Sequence, residues 1–277
     1  MSKFFNKNHS ITKENAKEIF SLVEKGDNVS LVCLPRTFRT EFGASLQTQS
    51  GLSDYLSKEQ IENTEFIYID LTLEKDLIEE QLGQSLRLYS NKENITSKLK
   101  DITFRKSLVI VVDNANFNDT NILKYILNLK LNNNEKINFI FLFIESDFIN
   151  DSNINDLGLI FFNVIKSPYF TKELAISWLK ENDSSISDET AETIYNFCGG
   201  TPALLKAVIR LRNKYDSLDK VFESLEINKV ISHLWSRFIP EEQVILLGNK
   251  GDERITNYLK ELNAIDESGK VLVTGLI

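Results

Sequence analysis

Four short runs of near-continuous apolar residues constrain this chain more than any other feature: Val29–Val32, Phe66–Leu71, Leu108–Val112 and Ile137–Ile144. A strand with one face in water alternates apolar and polar residues, whereas a strand covered on both faces does not. The runs therefore predict a parallel sheet with helices on both faces. The segments between them have helical periodicity. Thr12–Lys25 sets Ile19, Leu22 and Val23 on one face, with Thr12 and Asn15 at capping-box positions. Glu41–Gln47, Asp54–Asn63, Leu77–Leu88 and Thr120–Leu131 supply further helices, and Leu159–Ile165 a short fifth strand. Such alternation gives an α/β fold with right-handed crossovers.

At Pro168-Tyr169-Phe170 the alternation stops. Helices are expected over Thr171–Asn182, from Ile186 to Cys198, and from Pro202 to about Tyr215. Between the last two, Cys198-Gly199-Gly200-Thr201-Pro202 provides a glycine stop and a proline for the next first turn. Pro240–Leu247 and Ile255–Leu262 read as two more helices, and Asn263–Val273 as a two-strand wing around a glycine turn. The expected division is an α/β domain over 1–166, a helical lid over 167–229 and a small winged-helix-like domain over 230–277.

The turn after the first strand carries the candidate chemistry. A phosphate-binding loop has the pattern Gly, four residues, then Gly-Lys-Ser/Thr, and cradles anionic oxygens with backbone N–H groups at a helix start. Aligned on that pattern, Cys33 takes the first Gly, Phe38 the second, Arg39 the Lys and Thr40 the Ser/Thr, with Arg36 inside the loop. Phe38 brings a ring to where a phosphate would sit. Arg39 keeps the positive charge, but as a planar fork. Thr40 could still serve Mg²⁺. The third strand ends in Asp113, as a Walker B strand does, where the carboxylate reaches Mg²⁺. The next residue is Asn114, which cannot take a proton from water. The same residues also suit a buried strand with a capped helix, and an Asx turn at Asp113-Asn114.

Composition limits the alternatives. With 277 residues, 42% of them apolar, the chain can bury one to three cores. A net charge of −8 speaks against broad binding to nucleic acid or anionic membranes. Cys33 and Cys198 form no metal spacing and read as free thiols of a cytoplasmic protein. The N-terminal residues lack the apolar run of a signal peptide, and no run approaches the roughly 20 residues that span a bilayer.

Taken in order, these pieces resemble the AAA+ superfamily, nearest to the STAND and archaeal Orc/Cdc6-like ATPases, across nearly the whole chain. Gly200-Thr201-Pro202 looks like the Gly-x-Pro motif of STAND lids, where the proline contacts adenine. The resemblance implies a polar γ-phosphate sensor after the fourth strand, for which Ser146 is the candidate beside Glu145. It also implies a lid arginine, with Arg210 and Arg212 the local options. Because both loop glycines, the loop lysine and the acid after Asp113 are missing, the fold is expected to carry over and hydrolysis is not. The nucleotide-binding-like set is then Cys33, Arg36, Phe38, Arg39, Thr40, Asp113, Asn114, Ser146 and Pro202, with Thr40 and Asp113 as metal ligands only if Mg-nucleotide binds.

No cofactor is expected. The leading expectation is a catalytically degenerate scaffold or regulator that binds a protein partner, such as another AAA+/STAND subunit. The alternatives are a nucleotide-binding switch that holds ATP and Mg²⁺ despite the altered loop, and a non-catalytic subunit of a DNA-handling AAA+ assembly. From Pro240 to the C-terminus, Lys250, Arg254, Lys260 and Lys270 face seven acidic residues, so this module is not expected to contact DNA.

Overall fold

Burial follows the apolar runs. β1 (Val29–Cys33) is buried at every residue, and β3 (Ser107–Asp113) at every residue but its first. β2 (Thr64–Asp70) alternates half-buried and buried positions along much of its length, as an edge strand does. With β4 (Ile137–Ile144) and β5 (Asn163–Ser167), these form a five-stranded parallel sheet in the order β2-β3-β4-β1-β5, with helices on both faces. Asp70 of β2 pairs in register with Asp113 of β3, so two strand-end carboxylates stand side by side. The computed structural model describes residues 11, 13–34, 37, 39–71, 75–86, 92–114, 124–125, 128–129, 136–144 and 163–276. These form two units, Ile11–Val32 with Arg39–Lys166, and Cys33–Phe38 with Ser167–Ile277.

In the sheet unit the helices are α1 (Lys13–Glu24), α2 (Arg39–Ser45), α3 (Gln49–Leu52), α4 (Lys58–Asn63), α5 (Lys75–Ser85) and α6 (Lys92–Arg105). The two faces of β4 show how they pack. Phe139, Phe141 and Phe143 share one face at alternate positions, with ring centroids 5.5 and 6.2 Å apart. On the opposite face Leu142 meets Gly43 of α2, where an added Cβ would lie 2.8 Å from the leucine methyl. Gly43 thus sets the close approach of α2 to the sheet.

Several expectations shift. α4 starts at Lys58 rather than Asp54, because Ser57 and Gln60 form a reciprocal capping box there. The fifth strand is described over Asn163–Ser167 and ends later than the expected Ile165; residues 159–162 are outside the described ones. Of the helix expected over Thr120–Leu131, residues 124–125 and 128–129 are described and helical. α6 was not expected at all. Its buried stripe is thin, Ile95, Leu99 and Thr103, while Phe104 is 85% exposed.

The second unit is helical: α7 (Lys172–Asn182), α8 (Asp188–Cys198), α9 (Pro202–Arg212), α10 (Leu218–Phe222), α11 (Leu225–Trp235), α12 (Pro240–Leu246) and α13 (Glu253–Glu261). α11 runs across the expected division at 229–230. Between α12 and α13, Leu247–Asp252 forms no helix. The expected two-strand wing is a single antiparallel bridge, Ile265 to Val271. Beside the backbone bonds Asp266 N–H to Lys270 O and Leu272 N–H to Ala264 O, the Asp266 carboxylate accepts from the Ser268 hydroxyl and from the N–H groups of Ser268 and Lys270.

The C-terminal residues pack onto the other helices of this unit through Pro168-Tyr169-Phe170 and the double glycine. Tyr169 N–H donates to Leu262 O, Asn263 Nδ2 to Tyr169 O, and Phe170 N–H to Gly200 O. Gly199 and Gly200 have φ of +57° and +77°, and a Cβ on Gly200 would lie 2.0 Å from Phe170 O. A Cβ on Gly199 would lie 2.4 Å from the Leu272 carbonyl. Cys198, just before them, is fully buried, as is Cys33 in β1, and burial pushes the Cys198 thiol up.

Gly248 has a similar φ, +80°, but open space around its missing Cβ. Gly248→Ala should therefore cost only the left-handed strain, about 1–2 kcal/mol. Gly200→Ala adds a backbone clash and should cost about 2–4 kcal/mol. Urea unfolding of the two variants checks this; equal midpoints would contradict it.

Candidate functional site

α2 packs against β3 and β4, which brings its first residue, Arg39, to the carboxyl end of β3. There Arg39 Nε lies 3.3 Å from Asp113 Oδ1, as an ion-pair contact without hydrogen-bond alignment. Arg39 Nη2 donates to Asn114 Oδ1 at 2.6 Å. Asn114 Nδ2 donates in turn to Asp70 Oδ1 at 2.8 Å, linking the ends of β2 and β3. The Tyr68 hydroxyl donates to Asp113 Oδ2 at 2.8 Å, and the Asn114 N–H to Asp113 Oδ1 at 2.7 Å. Asp113 is fully buried and Arg39 is 9% exposed.

This is a closed polar cluster. Each oxygen of Asp113 has a partner within the cluster, and the Arg39 fork is divided between Asp113 and Asn114. Burial, then the charge and hydrogen bond of Asp113, push the Tyr68 phenol far up, so it stays a neutral donor. Asn114 has φ of +52°, a left-handed conformation that asparagine tolerates better than most non-glycine residues. The position after Asp113 thus suits an asparagine for a backbone reason as well as for its amide, which bridges Arg39 and Asp70.

Several expected residues come together here and others do not. Arg39, Asp113 and Asn114 form the cluster. Thr40 follows Arg39 but is exposed on α2. Cys33, aligned with a loop glycine, is still buried extended strand. Arg36, Phe38 and Ser146 lie outside the described residues. Pro202 opens α9 as a buried first-turn proline in the helical unit. Of the two lid arginines, Arg212 pairs with Asp183, Nη1 to Oδ2 at 2.9 Å. Tyr68 and Asp70 were missed by sequence reasoning. The available signal was that the second apolar run, like the third, closes on an aspartate.

A Mg-nucleotide does not fit the cluster as arranged. Mg²⁺ needs oxygen ligands at about 2.0–2.1 Å in near-octahedral geometry. The carboxylate oxygen that would supply one faces a guanidinium, and the other accepts from Tyr68. The cation that would meet phosphate is turned inward to Asp113.

The sequence matches no protein-family model and no curated protein. Solved structures do resemble it. Cdc6p from Pyrobaculum aerophilum superposes with a TM-score of 0.56 at 13% identity, over 92% of this chain and 86% of that one. The ORC1 protein of Aeropyrum pernix, solved in complex with DNA, gives 0.55 at 10% identity, over 93% and 74%. The ORC2 protein of the same organism gives 0.51 at 12%, over 90% and 78%. At these identities the likeness establishes the fold, that of the AAA+ P-loop ATPases, as the sequence led one to expect.

Removing one partner of a buried ion pair strands the other. Arg39→Met and Asp113→Leu should each destabilise by about 3–5 kcal/mol. The double variant should cost less than the sum, with a coupling of about 1–3 kcal/mol. Chemical denaturation of the four proteins measures this, and strict additivity would show that the two side chains do not act as a pair.

Proposed function

We propose that this chain is a catalytically degenerate AAA+/STAND ATPase-like protein that acts as a protein-binding scaffold or regulator, with little or no ATP hydrolysis. The observation that carries this reading is the Arg39–Asp113 pair. The two positions that would serve phosphate and Mg²⁺ in a working site neutralise each other instead. Asn114, bound between Arg39 and Asp70, offers no carboxylate to orient an attacking water. Freeing the cluster for a nucleotide means breaking a buried ion pair first, at a cost of several kcal/mol.

The division into an α/β domain over 1–166, a lid over 167–229 and a winged-helix-like module from 230 belongs to the same proposal, with α11 joining the last two. So does a cytoplasmic location; among the described residues no helix is long and apolar enough to cross a membrane. The partner would be another protein, for which a second AAA+/STAND subunit is the natural candidate. One relative was solved with DNA, but the acidic balance of the C-terminal module makes it a poor phosphate-contacting surface.

Calorimetry with Mg-ATP tests the reading. Each charge-assisted bond to phosphate is worth roughly 1.5–3 kcal/mol, so losing two weakens a micromolar site by about 10²–10⁴. The expected dissociation constant is about 0.1 mM or weaker, with turnover at background. A low-micromolar constant that disappears with Thr40→Ala would favour the nucleotide switch.

A further inference from the structure

Oxygens converge at the end of β3 as they would around a metal ion, but they converge on a side chain. Asp113 Oδ1 lies 3.3 Å from Arg39 Nε, and Asn114 Oδ1 lies 2.6 Å from Arg39 Nη2. The two oxygens belong to different residues, one a carboxylate and one a neutral amide. Asp70, in register beside Asp113, holds the amide from its other side, so that its carbonyl points to the guanidinium. A divalent ion such as Mg²⁺ takes ligands of this kind, one or two carboxylates with water completing the shell.

Arg39 serves here as a charge more than as a fork. An arginine paired with a carboxylate commonly meets both oxygens through two parallel N–H bonds. Arg39 does not: Tyr68 takes Asp113 Oδ2, and the buried Nε has no aligned acceptor. A buried donor without an acceptor is unfavourable, yet the positive centre stays where the oxygens meet. Among the described residues no group of three or more histidine, cysteine or acidic side chains gathers as a metal site does. An external ion would therefore find few protein ligands. A cation carried on α2 is tethered beside the same oxygens and acts at a high effective concentration.

We infer that the oxygens of Asp113 and Asn114 form a cation site that the chain fills with its own Arg39, so that a divalent ion enters only by displacing that side chain. The inference rests on the reading of this cluster as a degenerate site, and it adds the class of ligand that Arg39 excludes: a hard divalent cation, without nucleotide. Removing the guanidinium but not the oxygens uncovers the site. Arg39 is almost buried, but Tyr68, Asp70 and Asn114 are half-buried, so solvent reaches the rim. The Tyr68 hydroxyl and the Asn114 N–H both donate to Asp113 and hold its carboxylate in place when the guanidinium is gone.

The test uses Mn²⁺ as the probe, with no nucleotide, followed by the paramagnetic resonance signal of the free ion. The native full chain should leave that signal unchanged, and its urea midpoint should be the same in Mn²⁺, Mg²⁺ and a chelator. Arg39→Ala should bind one Mn²⁺ at least about tenfold tighter than the native chain, and Mn²⁺ should raise its urea midpoint where a potassium salt of equal ionic strength does not. Arg39→Gln, which keeps an amide donor and loses the charge, should behave alike, and Asp113→Asn in that background should abolish the gain. If either variant is unfolded without metal, Mn²⁺ should refold it by mass action; no recovery overturns the proposal. So does Mn²⁺ binding by the native chain that Asp113→Asn removes, because the metal then sits beside Arg39 and not in its place. An Arg39→Gln chain that folds, ignores Mn²⁺ and is stabilised by acid has taken a proton where a cation was expected, and overturns it as well. Mg-ATP binding by the native chain bears on the degenerate-ATPase reading alone, since the Mn²⁺ measurements contain no nucleotide.

Discussion

The sheet unit turns on a buried charge pair. Asp113 has no exposed surface, and a carboxylate buried without a partner is costly. Arg39, the first residue of α2, supplies one, and α2 can bring the guanidinium that close because Gly43 lets the helix settle onto Leu142 and Tyr68. Tyr68 then caps the second carboxylate oxygen, and Asn114 ties the pair to the end of β2. Four elements, α2, β2, β3 and the turn after β3, share one hydrogen-bonded knot. Such a knot is costly to bury and costly to open, and both properties suit a rigid junction better than a site that must admit and release a ligand.

The helical unit is organised by backbone rather than charge. Phe170 and Leu272 approach the Gly199-Gly200 turn so closely that no side chain fits at either position. The C-terminal residues therefore lock onto the lid helices through the same turn that separates α8 from α9. Thr274 Oγ1 donating to Asn196 O, and Gly275 set against the Phe197 ring, extend that seam. Ser167 to the C-terminus falls in one packed unit.

Much of this was legible in the sequence, for identifiable reasons. The strands were, because covering a sheet on both faces demands unbroken apolar runs. Arg39, Asp113 and Asn114 were singled out because they replace or keep signature positions, but their mutual contact was not. It depends on α2 leaning over β3, a tertiary fact with no local pattern. Tyr68 and Asp70 were missed because the register between β2 and β3 is set by pairing, not by either strand alone. α6 escaped because one exposed phenylalanine and a buried threonine, Thr103, which hydrogen-bonds back to Leu99 O, blur its stripe. The wing was over-read as two strands, since a single bridge, two backbone bonds and the Asp266 carboxylate are enough to close the turn. The double glycine was legible as a helix stop, but nothing nearby in the sequence shows which distant backbones press against it.

The two cysteines give the molecule a built-in clock. Cys33 is the last residue of β1 and Cys198 the last of α8, both without exposed surface. A thiol reagent reaches a sulfur only while the surrounding structure is open, so its rate of reaction counts openings rather than measuring surface chemistry. The labelling rates of the two sulfurs under mild denaturant compare how often the end of β1 and the end of α8 open. Equal rates mean that the two places open together, and unequal rates show which gives way first.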